Sequence, residues 1–387
     1  MNREALYSPR FVRCMVANFA QAVSFSMFLH LPGFLQAMGA RAWLIGVLIS
    51  LTALSAVVFG PLIGRVMDRR GRRPVLIWGN CLNCCAVALY LGVGTIHLGL
   101  WGLQLLHGLA GAMLYAAFFT SAADILPTSH RTQGLALFGA SSMLAIAAGG
   151  YLGDLAIVVG GYRAVFAGAL LAALTALALS WTLKESRPAA DAALEPSRRW
   201  RDTLMQRDLL SLWLVSSAFF FAMAGVFVFF KIWVLATGLG TLGGFFTTYT
   251  ATAILLRLVL GWVPDRVGAQ RMVVPSLLCF AAGVATLAGA GQLWHVVLAA
   301  VLCGTGHGYG FPVLMSLITE RTRPAERGAA ITIFAAIDEG AVLVAGPVLG
   351  LTADAMGYGG MFIVAAGVLT AAALAFAGHI GFNRGRH

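Results

Sequence analysis

Apolar positions in this chain run on for twenty or more residues at a time, and polar positions are confined to the gaps. Twelve such runs can be marked: 11–36, 43–64, 75–96, 98–121, 132–157, 164–183, 208–236, 243–263, 272–291, 294–319, 329–353 and 360–381. Each is near the ~20 residues that carry an α-helix across a bilayer. The pattern predicts an all-α membrane protein of twelve transmembrane helices. Most gaps are short and hold Gly, Pro or Arg. One is longer: residues 184–207 include Lys184, Glu185, Arg187, Pro188, Asp191, Glu195, Pro196 and several arginines, with almost no aliphatic content. It separates six runs from six, giving an N-terminal bundle (1–183), a linker (184–207) and a C-terminal bundle (208–387).

The gaps also carry a repeat. Gly64-Arg65-Val66-Met67-Asp68-Arg69-Arg70-Gly71-Arg72-Arg73 reads as a densely charged turn between the second and third runs. A thinner copy follows the eighth run, where Gly261, Asp265, Arg266 and Gly268 match Gly64, Asp68, Arg69 and Gly71 at one offset of 197 residues. Gly108 and Gly304, Asp124 and Glu320, Arg131 and Arg327, Phe138 and Phe334, and Gly150 and Gly346 all match at 196. Shared offsets over several spans predict two structural repeats related by an axis along the membrane normal.

Composition agrees with this pattern. The 387 residues are 59% hydrophobic and 11% charged, with a mean hydropathy of +0.85. Soluble domains carry about 25% charge, so a soluble fold would be left with uncovered apolar surface. The net charge of +11 does not point to nucleic acid, because the basic residues sit in alternate gaps and the intervening gaps hold few. That asymmetry follows the positive-inside rule and predicts that both termini are cytoplasmic. The polar Met1–Arg10 leads straight into a full span, so no cleaved signal peptide is expected. All six cysteines lie in or at the edge of apolar runs, away from any outward loop where an oxidising compartment would pair them.

The Gly64–Arg73 segment resembles the inner-loop signature of the major facilitator superfamily, G-x-x-x-D-R-x-G-R-R/K, and keeps each defining position. Gly304 to Pro312, Arg327-Gly328 and Asp338-x-Gly340 are similar to bacterial sugar- and drug-efflux permeases. The resemblance covers the whole chain. It implies two six-helix bundles, alternating access, a monomer in the bacterial inner membrane, and as partners a small-molecule substrate, protons and membrane lipid. No nucleic acid, cofactor or metal is implied, and no enzymatic activity. Two positions depart from the proton-antiport members. Gln104 stands where Arg is usual, four residues before Gly108, and Ile146 stands where the fifth span usually has Pro.

Several residues are candidates for the chemistry. Gly64, Asp68, Arg69, Gly71, Arg72, Asp124 and Arg131 are expected to gate the basic end. Asp68 would meet the N-terminus of a helix in the opposite half, the arginines would pair with carboxylates such as Asp124, and Gly64 and Gly71 would allow close backbone approach. Asp265, Arg266, Glu320 and Arg327 form the second, thinner latch. Arg257 in the eighth span would pair with a carboxylate or snorkel inward. Asp338 and Glu339 lie ~14 Å into the eleventh span at 1.5 Å per residue. There a charge costs from ~3 to above 10 kcal/mol, so a carboxyl that gains and loses a proton is expected to couple transport; a structural carboxylate is the alternative.

Gln21, His30, Gln104, His107, Tyr115, Phe220, Lys231 and His307 are candidate substrate contacts in a cavity of apolar walls and few polar groups. Each histidine also reads as an ordinary satisfied side chain. Lys231 also reads as snorkelling to the outer interface, and at least half of the phenylalanines of the seventh span read as facing lipid. The function expected is proton-coupled export of a small, partly lipophilic compound. A facilitator or importer, including a copper importer through Cys81, Cys84 and Cys85, is the alternative.

Overall fold

Lipid offers no hydrogen bonds to a backbone, so each apolar run must satisfy its own peptide groups as helix. The computed structural model describes residues 8–127, 130–186, 200–323 and 326–384, and no strand occurs among them. The fold is all-α.

Helix α1 (Pro9–Met27) passes through a 3-10 turn (Phe28–His30) into α2 (Leu31–Ala37), and together these cross as one span. There follow α3 (Ala42–Arg70), α4 (Arg72–Tyr90), α5 (Leu98–Ile125) and α6 (Arg131–Trp181). After the linker come a short α7 (Trp200–Leu204), α8 (Arg207–Thr237), α9 (Leu242–Leu260) and a short α10 (Val263–Val267). The chain ends with α11 (Ala269–Ala288), α12 (Leu293–Arg321) and α13 (Arg327–Arg384).

Helices α6 and α13 are each two spans, broken at Gly160–Gly161 and at Gly357. Gly161 and Gly357 have φ of 66° and 74° and lie 196 residues apart, so the repeat read from the sequence recurs in the backbone. Nine helical stretches among the described residues are long and apolar enough to span. Two of them are double, and α4, the repeat counterpart of α11, completes twelve.

The charged segment is helix where the sequence predicts a turn. Residues 64–70 are the last turns of α3, and the chain stops only at Gly71. Arg, Met and Asp tolerate a helix end in water, so nothing before Gly71 forces a break. The second copy does break, after Leu260, and resumes as α10 with a proline in its first turn. There Pro264 stands where the first copy has Met67. Proline cannot donate to the carbonyl four residues back, and its ring clashes with it.

The chain divides into two compact units. The first comprises residues 1–40, 51–193 and 242–247, the second 41–50, 194–241 and 248–387. Residues 187–199 of the predicted linker lie outside the described residues.

In the first unit, Phe11, Phe118 and Phe138 are buried in one apolar cluster. A second nest joins Phe28, Tyr90, His107 and Phe166, with ring centroids 4.2–6.0 Å apart. In the second unit Phe334, the counterpart of Phe138, packs 5.1 Å from Phe220 and 5.3 Å from Phe311. Phe219, Phe220, Phe229 and Phe230 on α8 are fully buried. The expectation that at least half of these rings face lipid is therefore corrected: a helix apolar on every side is a buried helix. The exposed apolar surface lies elsewhere, on residues such as Val158 and Leu258, 85% and 77% exposed.

Close helix approach depends on glycine. A Cβ on Gly108 would stand 2.4 Å from the Thr52 carbonyl oxygen, and one on its counterpart Gly304 2.4 Å from that of Tyr249. In lipid, helices gain by such packing and by hydrogen bonds rather than by leaving water.

Candidate functional site

At the basic end of the first unit, Arg72 is the hub. Its Nε donates to Asp124 at 3.0 Å, its Nη1 donates to the Met67 carbonyl at 3.1 Å, and Asp68 is 3.7 Å away. Asp68 itself is 55% exposed and Arg72 is its partner among the described residues. A carboxylate does cap a helix there, and it is Glu185. Its two oxygens accept from the backbone N–H of Arg72 and Arg73 at 2.8 and 3.1 Å, where free donors and the helix dipole favour an anion. Arg73 closes the arrangement by donating to the Leu183 and Trp181 carbonyls. Arg69 is exposed, and the side chain of Arg131 lies outside the described residues.

Of the two glycines assigned to close approach, only Gly71 has a near neighbour. A Cβ on Gly64 would meet nothing within 4 Å, whereas one on Gly71 would stand 2.3 Å from Glu185 Oε2. Gly71 also has φ 95° and ψ 173°, a region all but closed to other residues and worth 1–3 kcal/mol of strain, roughly, when forced. Gly71→Ala is therefore expected to lower the thermal midpoint in detergent, with Gly64→Ala matching the wild type. Equal midpoints for both variants would discard this account of the Gly71 turn.

The second latch is not formed as predicted. Among the described residues Asp265, Arg266, Glu320 and Arg327 make no ion pair. Arg266 lies over the Trp262 ring at 4.5 Å, Glu320 accepts from Ser316, and Arg327 Nε donates to the Thr319 carbonyl. The physical reason is the break at Pro264: α10 has no buried residue to fix its direction. Arg257 pairs with no carboxylate among the described residues either, and its Nε donates to the Gly308 carbonyl at 3.1 Å.

Sequence reasoning missed two carboxylates at the opposite end. In the second unit Asp354 accepts from the N–H of Ala42 and Trp43, both at 3.1 Å, with Arg41 3.9 Å away. In the first unit Asp154 accepts from Gly243 N–H at 2.6 Å. The two aspartates are 200 residues apart, as are the helix starts that they cap, Ala42 and Leu242. That offset was available in the sequence as the signal.

The expected substrate contacts fall into different settings. His30 is fully buried, with Nε2 3.1 Å from the Gly150 carbonyl and Nδ1 3.8 Å from Asp154. It braces the 3-10 turn against α6, and so belongs to the framework. Gln21 is buried on α1. On α5, Gln104 is fully buried with neither amide atom partnered among the described residues, and His107 Nε2 is likewise orphaned between Phe25 and Phe28. Tyr115 is 59% exposed beside Phe119.

In the second unit Phe220 is core, and Lys231 is only 6% exposed. The snorkelling read for that lysine does not occur. His307 Nδ1 hydrogen-bonds to Tyr249 Oη, a partner that the sequence did not suggest, among Phe219 and Phe311. Asp338 and Glu339 on α13 form no hydrogen bond or ion pair among the described residues. Leaving a membrane carboxyl without a partner is costly unless it is protonated or reached by water.

Twelve apolar spans in two repeats, with carboxyls and imidazoles set inside them, define a multi-pass membrane transporter. The profile of the Major Facilitator Superfamily matches residues 14–246 and 235–381. The chain belongs to that family. It is 28% identical over 296 residues to the tetracycline resistance protein, class G, of Vibrio anguillarum, covering 73% of this chain and 74% of that one. It is 26% identical over 309 residues to the class B protein of Escherichia coli, covering 73% and 72%. Among solved structures, the nucleoside transporter NupG superposes with a TM-score of 0.77 at 14% identity, covering 96% of this chain and 99% of that one. That likeness concerns the fold.

Proposed function

We propose that this protein is a secondary transporter of the bacterial inner membrane, exporting a small, partly lipophilic organic compound in exchange for protons by alternating access, with both termini cytoplasmic. The observation that carries the reading is the pair of carboxyls on α13, Asp338 and Glu339, without partners among the described residues. An intramembrane carboxyl binds a proton when sealed from water and releases it when wetted, which is the half-reaction that proton coupling requires. The named role of the relatives supports export: both are called resistance proteins against tetracycline.

Orphaned Gln104 and His107, lying one turn apart on α5, supply polar contacts inside otherwise aromatic walls. The capped starts of α3 and α9 support alternating access, since a few charge-assisted bonds can form and break within each cycle. Glu185, Arg72 and Asp124 serve the same purpose at the basic end.

Proteoliposomes with an acidic lumen test this. Tetracycline is expected to accumulate inside against its own gradient and to leak back when a protonophore is added. Uptake that only runs downhill, and is indifferent to the protonophore, would leave a facilitator and overturn the coupling.

A further inference from the structure

Arg257 lies in the last turn of α9 and makes no ion pair with a carboxylate among the described residues. Its Nε has a structural task. Pro312 lacks an N–H, so the carbonyl four residues earlier in α12, that of Gly308, loses its helical donor. Arg257 Nε supplies the replacement at 3.1 Å. This contact also fixes its depth: Gly308 is about 20 Å from the α12 end at Arg321, at 1.5 Å per residue. The side chain is thus turned toward the middle of α12. Its Nη groups have no partner among the described residues, and no carboxylate among them is within ion-pair reach.

Beside Gly308 stands His307, whose Nδ1 is engaged by Tyr249 Oη. With the phenol donating, the imidazole keeps an N–H at Nε2 to offer. The rings of Phe219 and Phe311 are 6.0 and 5.8 Å from that imidazole. A membrane guanidinium, an N–H donor and aromatic faces together complement a flat molecule bearing an anionic oxygen group.

We infer that Arg257 and His307 form an anion subsite in the second unit, and that the transported compound is an aromatic carboxylate or a zwitterion presenting one. This rests on the exporter reading above and narrows its substrate class. The carboxylate accepts from the Arg257 Nη groups and His307 Nε2, and the aromatic body lies against the phenylalanines.

The test uses 2-naphthoate and its neutral analogue 2-naphthamide, with binding to the purified full chain in phosphatidylcholine nanodiscs read by tryptophan fluorescence. The wild type is expected to bind naphthoate about tenfold more tightly, the worth of one charge-assisted hydrogen bond. Arg257→Gln should erase the preference and Arg257→Lys should keep part of it. Equal binding of both probes by the wild type, a comparison that needs no variant to fold, overturns the subsite. So does a preference that survives Arg257→Gln. Displacement of naphthoate by phosphatidylglycerol added to the discs would assign the anion to lipid and also overturn it. Uptake of tetracycline and of naphthoate in parallel proteoliposomes separates the two readings. Gradient-driven uptake without a naphthoate preference rejects the subsite alone; a naphthoate preference without gradient-driven uptake of either compound rejects the exporter and leaves an anion-binding chain.

Discussion

Asp338→Asn is expected to abolish accumulation driven by a pH gradient while leaving substrate exchange across the membrane intact. The carboxyl lies inside α13, without a hydrogen bond or ion pair among the described residues, so its charged form costs ~3 kcal/mol or more in lipid. Coupling uses that cost: the proton binds on one side, the neutral form crosses the sealed state, and water on the other side draws the proton off. One proton moved through one pH unit supplies ~1.4 kcal/mol, a tenfold concentration ratio. The wild type should therefore reach about tenfold accumulation if one proton is exchanged per molecule, and the asparagine variant about unity. The amide has nearly the same shape, so counterflow without a gradient should persist. Glu339 points ~100° away around the helix, and Glu339→Gln should retain most of the accumulation. Tenfold accumulation by Asp338→Asn would remove the residue from the coupling path, and loss in Glu339→Gln alone would transfer the role by one position.

Gly46→Ala should be the most damaging glycine-to-alanine change among the described residues. Its Cβ would stand 1.9 Å from the carbonyl oxygen of Gly346 and 2.5 Å from its carbonyl carbon. Neither atom can swing aside as a side chain can, so the first turns of α3 must move off α13. That movement strains the bonds from Ala42 and Trp43 to Asp354 and the bond from Ser50 to the Val342 carbonyl. Overpacking costs ~1–3 kcal/mol, and a lost cap adds ~1 kcal/mol. A shift of ~3 kcal/mol changes the ratio of two conformations by more than a hundredfold. Transport by Gly46→Ala should fall at least tenfold, with the protein still inserted. Gly60→Ala, on the same helix with nothing within 4 Å of the added carbon, is the control and should transport normally. A wild-type rate from Gly46→Ala would show that this contact is not needed in the cycle.

Much of this architecture is legible because lipid imposes it. A span must be long and apolar, and a repeat leaves offsets of 196 and 197 residues that any reader can count. The same reasoning marks Asp338 and Glu339, since a carboxylate deep in an apolar run is conspicuous without a structure. Other assignments were not legible. Gly64 and Gly71 belong to one motif, yet only Gly71 meets a neighbour, because a spacing does not say which way a residue faces. The second charged segment copies the first in four positions, but Pro264 breaks the helix, and among the described residues its charges make no ion pair.

By itself, then, the sequence determined that the chain crosses the membrane twelve times, that it is built twice over, and which ionisable groups lie within it, since each of these is fixed by local chemistry against a uniform apolar solvent. Only the tertiary structure decided which carboxylate caps which helix: Glu185 on α4, Asp354 on α3, Asp154 on α9. Only there does Arg257 meet the carbonyl that Pro312 leaves bare. Such pairings depend on helix rotation and tilt, which are set by the packing of glycine against backbone and ring against ring between segments distant in the chain.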